Sequence, residues 1–547
     1  MNGSPSDVPV DLLHWGLAIV PIAVLLVLLA VLRWKAPEAG PIGLVVAAGV
    51  ALFAFRTPLE TLAVASGKGV WDAFFILLVI WPALVLYRVT DGAGAFDALR
   101  TGITRFSRDD VFLVLAFGWV FASFLQGIAG FGTPIAVVAP LLVAIGVKPV
   151  MAVVIPLIGH AWANMFGTLG VSWLATGQVI DIEDETATAF QTAALLWIPN
   201  LTGGLFLLWL IGRGRALRHG LPMVLVISLV QGGGQLVLTL WNPVLSNFIA
   251  ATVAMAAVFA LSKWSRYSEP NDVGGSVMVG DRDSDDVAGE EPGRAEPVMS
   301  LPMALFPYGV LTVVSIIGLA IGPVESFLER AEVGLAMPAT DTGYDVTNDA
   351  ESSYSPLTPF THPGFFLVIS SIAAFVVYRA KGYTARWRER ADVSPLWGAV
   401  AKDALPASVA VVAFLVLSSI MGHSGQTDTL ALGLSEVAPA GVYAVASTWI
   451  GVIGAFMTSS NTASNVLFSP LQDTVAQTEG LSQPAIIGSQ SVGGAIGNAI
   501  APANIVLGTG TAGINGEEGS VLRRTLPWTV VVTLIAGAAT LALDVWA

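Results

Sequence analysis

Long apolar runs separated by short polar loops fill almost the whole sequence. Most runs hold about 20 residues, the length at which a helix crosses the hydrocarbon core of a bilayer. They are apolar on all sides rather than along one stripe, which is typical of helices buried in lipid or protein. Twelve runs are predicted to be transmembrane helices, at about 12–32, 41–55, 70–87, 149–176, 190–211, 221–240, 243–261, 301–321, 363–378, 403–421, 484–512 and 526–545. The pattern predicts an all-α polytopic membrane protein.

Two further apolar segments, at about 111–147 and about 440–480, are broken by small and polar residues. Each is followed by a long helix that is interrupted near its middle, at 159–167 in one half and at 490–498 in the other. Backbone leaves a helix inside a bilayer only where protein or a water-filled cavity satisfies it. Paired interruptions in two halves therefore indicate the binding site of a transporter. The alternative is that the glycines only let helices pack closely.

The charges in the loops predict the orientation of the helices, because loops rich in Lys and Arg stay in the cytoplasm. Every basic loop falls inside only if both broken segments are re-entrant hairpins that leave the membrane on the side where they enter. The hairpin at about 111–147 then enters from the cytoplasm and the one at about 440–480 from outside, as an inverted repeat. Both termini are predicted to be outside, with membrane halves at 1–262 and 301–547.

Composition agrees with this class. Hydrophobic residues make up 54% and charged residues 12% of the 547 residues, whereas about a quarter is charged in soluble domains. The net charge of −14 collects in loops, and without a basic stripe nucleic acid is not a predicted partner. The chain has no cysteine, which excludes disulfides and thiol chemistry. Residues 263–300 are predicted to form an acidic, disordered cytoplasmic linker, and the loop at 341–354 is predicted to be similar but external.

The motifs in and after the broken segments resemble the L-lactate permease family. They are Gly130-Phe131-Gly132-Thr133-Pro134-Ile135-Ala136 with Gly146-Val147-Lys148-Pro149, Ser460-Asn461-Thr462-Ala463-Ser464-Asn465-Val466-Leu467-Phe468, and Ser491-Val492-Gly493-Gly494 with Ile500-Ala501-Pro502. The resemblance covers most of the transmembrane chain. It implies a cell-membrane protein that imports lactate, and often glycolate, with protons.

The resemblance extends to a wider group of ion transporters that includes sodium–dicarboxylate symporters. There a Ser-Asn-Thr at each hairpin tip holds a substrate carboxylate and sodium, and here Ser460-Asn461-Thr462 repeats that triplet only in the second hairpin. Related transporters are often homodimers, which makes a homodimer an expectation by analogy. One position departs from the family: Asn498 stands where members often have lysine. That difference leaves the exact substrate and the coupling ion open.

A pocket for a short 2-hydroxy acid needs hydrogen-bond donors for two carboxylate oxygens and a partner for the hydroxyl. Helix N-termini at the hairpin tips supply N–H groups that attract anions. The predicted substrate-binding residues are Gly130, Gly132, Thr133, Asn164, Ser460, Asn461, Thr462, Gln490, Gly494 and Asn498. Thr133, before Pro134, is also predicted to be an N-cap, and Thr462 to cap the second hairpin in the same way.

Ionisable residues at membrane depth are functional candidates by default. His160 and Asp473 are therefore candidates for carrying the coupled proton. The alternatives are a packed His160 bonded to a backbone carbonyl and an Asp473 near the outer mouth. Asp72 is predicted to be interfacial and His423 external.

Two other functions stay open. Sodium replaces the proton in the first, with Asn461 and Asn465 as oxygen ligands. The more distant one is a membrane enzyme, against which we find no nucleophile–base pair, no metal-ligand spacing and no phosphate loop. No cofactor is predicted.

Overall fold

Long helices carry most of the chain, as the apolar runs predicted. The computed structural model describes residues 8–32, 34–96, 98, 107–130, 132–269, 277–278, 299–344, 346–383 and 396–546. The helices of the N-terminal half are α1 (Leu12–Leu26), α2 (Ala36–Phe53), α3 (Leu59–Gly92), α4 (Asp110–Ile128), α5 (Thr133–Ala144), α6 (Pro149–Gly159), α7 (Gly167–Gly177), α8 (Glu185–Thr239), α9 (Pro243–Leu261) and α10 (Ser265–Ser268).

The C-terminal half contains ten helices within the described ranges. They are α11 (Leu301–Ala320), α12 (Gly322–Leu328), α13 (Pro363–Ala380), α14 (Leu396–His423), α15 (Gln426–Ser435), α16 (Ala440–Thr458), α17 (Asn461–Glu479), α18 (Gln483–Gly497), α19 (Pro502–Thr511) and α20 (Glu518–Trp546). In the part of the chain that the structure describes, 12 helices are long and apolar enough to cross a membrane. The predicted polytopic helical class is confirmed.

The longest of these, α8, is two antiparallel helices joined by a sharp turn. Gly212 and Arg213 leave helical geometry there, and Arg213 has a φ of 49°. Trp197 Nε1 donates to Ser228 Oγ (3.0 Å) on the returning arm, so the chain reverses. The two predicted spans at 190–211 and 221–240 correspond to these arms.

A two-stranded antiparallel sheet interrupts the C-terminal helices. Strand β1 (Val333–Met337) pairs with β2 (Glu351–Leu357), with Leu335 opposite Tyr354. The expectation that the loop at 341–354 resembles a disordered linker is wrong. Its Asp341 carbonyl accepts a hydrogen bond from Thr61 Oγ1 of α3 (2.7 Å), so contacts with the helices order it.

The predicted linker at 263–300 is described only in part. Tyr267, in the short α10, is fully buried, and its carbonyl accepts a hydrogen bond from Ser107 Oγ (2.5 Å). The Val277 carbonyl accepts from Lys148 N (2.8 Å) at the base of the first hairpin. Residues 270–276 and 279–298 lie outside the described residues.

Each half contains a pair of consecutive helices, which we call hairpin A (α4 and α5) and hairpin B (α16 and α17). In hairpin B, Ser464 Oγ donates to the Gly451 carbonyl (3.0 Å) near the tip. Farther from the tip, Tyr443 Oη donates to Gln472 Oε1 (2.6 Å). The partners move apart in sequence with distance from the tip, which is the signature of antiparallel packing.

Each hairpin leads into an interrupted helix, which we call broken span A (α6 and α7) and broken span B (α18 and α19). Broken span A bends by 53°, with Thr168, Leu169 and Gly170 all in the left-handed region. The predicted interruption at 159–167 is therefore found, and it extends three residues further.

The predicted interruption at 490–498 is displaced. Helix α18 stays regular through Gly497, and the break is a short 3₁₀ turn at Asn498–Ile500, followed by Pro502 at the start of α19. The glycines at 493, 494 and 497 serve close helix packing instead. An added Cβ at Gly493 would lie 2.0 Å from the Thr448 carbonyl oxygen of α16.

Candidate functional site

The tip of hairpin B is a tight turn made by two serines. Ser459 ends α16 with a φ of 56°, and Ser460 is extended. Ser460 Oγ accepts a hydrogen bond from Ala463 N (3.2 Å), so Ser460 is the N-cap of α17. The predicted capping role of Thr462 is wrong, because the helix starts one residue before it. The Thr462 hydroxyl instead shares a hydrogen bond with Ser172 Oγ of α7 (2.8 Å).

The tip of hairpin A depends on glycine backbone. Gly132 has a φ of 83° and is the residue before α5, so Thr133 is the first helical residue rather than the predicted N-cap. The left-handed backbone favours glycine at this position, and a Cβ would also lie 2.4 Å from Leu507 Cδ2 and force that side chain to move. Gly130 N donates to Thr168 Oγ1 (2.8 Å), so this amide is already bonded within the protein. Phe131 lies outside the described residues.

Both tips meet both breaks. Hairpin A contacts broken span A through Thr168 and broken span B through Leu507. Hairpin B contacts broken span A through Ser172, and Ser459 Oγ accepts from Ala503 N (3.3 Å) at the start of α19. Four irregular segments therefore meet at one polar centre.

The hairpins reach this centre from opposite ends of broken span A. Hairpin A continues directly into Pro149, the first residue of α6. At the other end, Gln483, just after hairpin B, donates through Nε2 to the Asp181 carbonyl (2.8 Å), four residues beyond the last residue of α7. An inverted repeat requires this opposed arrangement. How deeply each hairpin enters a bilayer stays a prediction.

Two asparagines on α17 hold unpaired acceptor atoms at the centre. Asn465 Nδ2 donates to Thr176 Oγ1 (3.0 Å) and Ser491 Oγ (3.2 Å). The Oδ1 atoms of Asn461 and Asn465 are buried and accept no hydrogen bond from the described residues. A buried polar atom without a partner costs about 1–3 kcal/mol, so both oxygens are available to a ligand.

Gly494 brings α18 against the first of these asparagines. A Cβ at Gly494 would lie 2.0 Å from Asn461 Oδ1. The glycine predicted as part of the substrate site therefore acts by leaving room for the Asn461 amide.

Both ends of the Gln490 side-chain amide form hydrogen bonds with hairpin B. Its Nε2 donates to Ser464 Oγ (3.1 Å), and its Oε1 accepts from Gln472 Nε2 (3.0 Å). Gln472 in turn accepts from Tyr443 Oη. This buried chain of bonds ties α18 to both arms of the hairpin and stabilises its position.

Asn164 and Asn498 each hold one break. Asn164 Nδ2 donates to the Ala161 carbonyl (2.9 Å), inside the turn between α6 and α7. Asn498 accepts from Asn504 Nδ2 through its carbonyl (3.1 Å) and through its side-chain oxygen. An asparagine at position 498 thus closes the break locally, where a lysine would introduce a charge.

His160 and Asp473 were predicted as proton carriers, and the hydrogen bonds of both also fit the structural roles given as alternatives. His160 is buried at the end of α6, and its Nδ1 bonds the Pro156 carbonyl at 2.5 Å, as a packed histidine would. Asp473 accepts from Gln483 Nε2 (2.7 Å) and Gln477 Nε2 (3.1 Å), at the end of hairpin B far from the tip. Neither geometry tests proton transfer, so both roles stay predictions.

Sequence reasoning missed the hydroxyls of α7. Ser172 and Thr176 stand four residues apart and face α17, where they bond Thr462 and Asn465. Their spacing puts them on one face of a helix, and this was the available signal. Thr168 was also missed, because its bond to Gly130 N depends on a left-handed backbone conformation that the local sequence does not predict.

This arrangement defines a multi-pass membrane transporter. Two halves each supply a hairpin and an interrupted span, and the irregular segments surround a buried polar centre. The chain belongs to the L-lactate permease family, whose model matches residues 16–545.

Its relatives match over nearly their full length. The chain is 27% identical to glycolate permease GlcA of Escherichia coli (strain K12), over 96% of this chain and 94% of that protein. It is 25% identical to an L-lactate permease of Halalkalibacterium halodurans, over 95% and 96%. It is 26% identical to an L-lactate permease of Escherichia coli (strain K12), over 96% of this chain and 94% of that protein.

Proposed function

We propose that this protein imports a short 2-hydroxymonocarboxylate, L-lactate or glycolate, together with protons. The observation that carries the proposal is the convergence of both hairpin tips on both breaks, in a member of the L-lactate permease family. The relatives named above are permeases for these two acids. The proposal is transport of the acid without chemical change.

The centre offers a monocarboxylate hydrogen bonds from neutral groups. The N-termini of α17 and α19 lie side by side, since Ser459 Oγ bonds Ala503 N, and helix N-termini favour anions. The hydroxyls of Ser172 and Thr462 lie beside them, and the unpaired Asn461 Oδ1 suits the hydroxyl of a 2-hydroxy acid. One carboxylate and one hydroxyl match these groups.

A second candidate keeps the substrate and replaces the proton with sodium. The unpaired Oδ1 atoms of Asn461 and Asn465 favour it, because amide oxygens are hard ligands for such a cation. Thr176 and Ser491, which bond Asn465, would complete an oxygen-rich surrounding.

The topology belongs to the same proposal. We infer that both hairpins are re-entrant, A from the cytoplasm and B from outside, and that both termini are external. A homodimer is the proposed assembly, by analogy with related transporters. Cysteine labelling is clean in this chain, which has no native cysteine. In the variants Lys148→Cys and Gly480→Cys, the new thiols should react with a membrane-impermeant reagent from opposite faces of sealed vesicles.

Uptake into liposomes tests the function. Purified protein should accumulate labelled lactate or glycolate when the outside is made acidic, without sodium, and a protonophore should abolish accumulation. Uptake that persists with protonophore and needs sodium would select the second candidate. Absence of any exchange of lactate, glycolate or acetate would refute the substrate class.

A further inference from the structure

A cavity of about 400 Å³ lies where the β1–β2 sheet covers α3 and α14, and we call it the sheet-capped cavity. Its lining includes Asp72 of α3, Tyr354 of β2 and His423 at the end of α14. Gly177 of α7 and Pro470 of α17 line it as well, so it adjoins the elements that carry the substrate residues. The sequence placed Asp72 and His423 near water, but they are only 2% and 8% exposed.

Four residues that line this cavity carry buried polar atoms without a hydrogen-bond partner among the described residues. Tyr354 Oη donates to Asp72 Oδ2 (2.7 Å), which leaves Asp72 Oδ1 without a partner among the described residues. His423 Nδ1 lies 2.9 Å from the Ser419 carbonyl, so its Nε2 is left as an unpaired acceptor. Gln178 Oε1 and Ser419 Oγ are also unpaired there. Unpaired acceptors on several residues around one cavity indicate a ligand that brings hydrogen or positive charge.

The charges around the cavity exclude the anionic substrate as that ligand. The titratable or charged groups that line it are Lys68, Asp72, Asp181, Asp349, Glu351, Tyr354 and His423. Four of these are carboxylates and one is an ammonium, and that ammonium is already paired with Glu351 at 2.8 Å. Such a surrounding repels a carboxylate and favours a cation.

We propose that the proton taken up with the substrate binds the Asp72 carboxylate in the sheet-capped cavity, which the His423 imidazole lines as a second acceptor. The inference rests on the proposed proton symport. The proton forms an O–H bond at Asp72 Oδ1 and removes one negative charge, so proton and monocarboxylate cross as a neutral pair.

The position of the cavity explains how the proton is coupled to transport. Helix α7 packs against α3, which carries Asp72, and α17 packs against α14. A buried carboxylate is costly when charged and far less so when neutral. Binding the proton therefore favours close packing of the substrate-bearing helices against α3 and α14. Burial and the Asp72 charge raise the pKa of the Tyr354 hydroxyl, so Tyr354 stays a donor to Asp72 throughout.

Asp72→Asn in liposomes tests the proposal. In a 1:1 symport, an inward gradient of one pH unit supports about tenfold accumulation of lactate. The variant should only equilibrate lactate, while exchange of lactate across the membrane at equal pH stays within about twofold of the natural protein. Asp403→Asn is the matched control, because Asp403 pairs with Arg88 outside this cavity, and it should still accumulate.

Competing arms decide between carriers. Accumulation by Asp72→Asn at the natural level overturns the proposal, as does loss of accumulation in His160→Gln or Asp473→Asn with Asp72→Asn unaffected. If a folded Asp72→Asn protein loses both lactate exchange and lactate accumulation, that result also counts against the proposal. If the natural protein itself transports no lactate or glycolate, the proposed function fails first.

Tyr354→Phe is the second variant, because it keeps the carboxylate and removes only its donor. The charged form of Asp72 then loses a stabilising hydrogen bond, so the proton binds more readily. The pH at which accumulation is half-maximal should rise, with exchange unchanged. An unaltered pH profile would overturn the proposal, since a merely structural Asp72 would give that result.

Discussion

Hairpin A and hairpin B share one architecture but divide the chemistry unequally. The tip of hairpin A is glycine backbone, and its Gly130 amide is satisfied by Thr168. The tip of hairpin B presents Thr462 to α7 and leaves Asn461 Oδ1 unpaired. Under the proposed function, we therefore expect substrate selectivity to depend mainly on hairpin B. Hairpin A contributes position more than functional groups.

The largest loss of uptake is expected when a side chain at Gly494 fills the space beside Asn461 of hairpin B. In Gly494→Ala, the new methyl group would lie 2.0 Å from Asn461 Oδ1 and would displace that amide. We expect uptake to fall by about 100-fold or more, as 3 kcal/mol of lost interaction implies. Gly234→Ala is the control, because its Cβ would meet only Ala250 at 3.6 Å. Equal uptake by both variants would remove Asn461 from the site.

Asn461→Ala tests the unpaired amide directly. Removing the amide leaves the substrate hydroxyl without its acceptor, which costs about 1–3 kcal/mol, so uptake should fall by about 5- to 100-fold. Thermal stability should change little, since Oδ1 has no partner among the described residues and Nδ2 makes only a long bond to Met165 Sδ (3.8 Å). In the control Asn200→Ala, the bond from Asn200 Nδ2 to Gln231 Oε1 (3.1 Å) is lost. There stability should fall and uptake persist; the reverse outcome would assign Asn461 a structural role.

The contact between the two halves at Ser172 and Thr462 should make the effects of their substitutions on uptake non-additive. Ser172 and Thr462 share one hydrogen bond of 2.8 Å. We expect about tenfold lower uptake in Ser172→Ala, in Thr462→Ala and in the double variant alike, because each removes the same interaction. Thr462→Ser should keep most uptake. Fully multiplicative losses would mean that the two hydroxyls act independently.

The smallest effect on uptake is expected at hairpin A. Thr168→Val keeps the side-chain shape but leaves Gly130 N without its acceptor. The free energy of unfolding should fall by about 1–3 kcal/mol, measured as a lower melting temperature, with uptake reduced less than about threefold. Thr202→Val, whose hydroxyl bonds only the Ile198 carbonyl of its own helix, is the control. A loss of uptake as large as that of Asn461→Ala would erase the proposed difference between the hairpins.

The sequence by itself determined the helical class, the paired hairpins and the broken spans. Apolar runs of membrane length allow only helices, and Gly132 and Pro502 mark turns that need no tertiary contact to form. The polar residues of both tips were recognisable because polar groups in apolar surroundings need partners.

Only the tertiary structure decided which of those groups are free. Gln490 has the same chemistry as Asn461, but contacts with hairpin B satisfy the Gln490 amide, whereas Asn461 Oδ1 is left unpaired among the described residues. Asp72 likewise looks interfacial in the sequence, but Tyr354 of β2, 282 residues later in the chain, bonds and covers it. Hydrogen-bond satisfaction and burial depend on which segments meet in space, and local pattern does not contain that information.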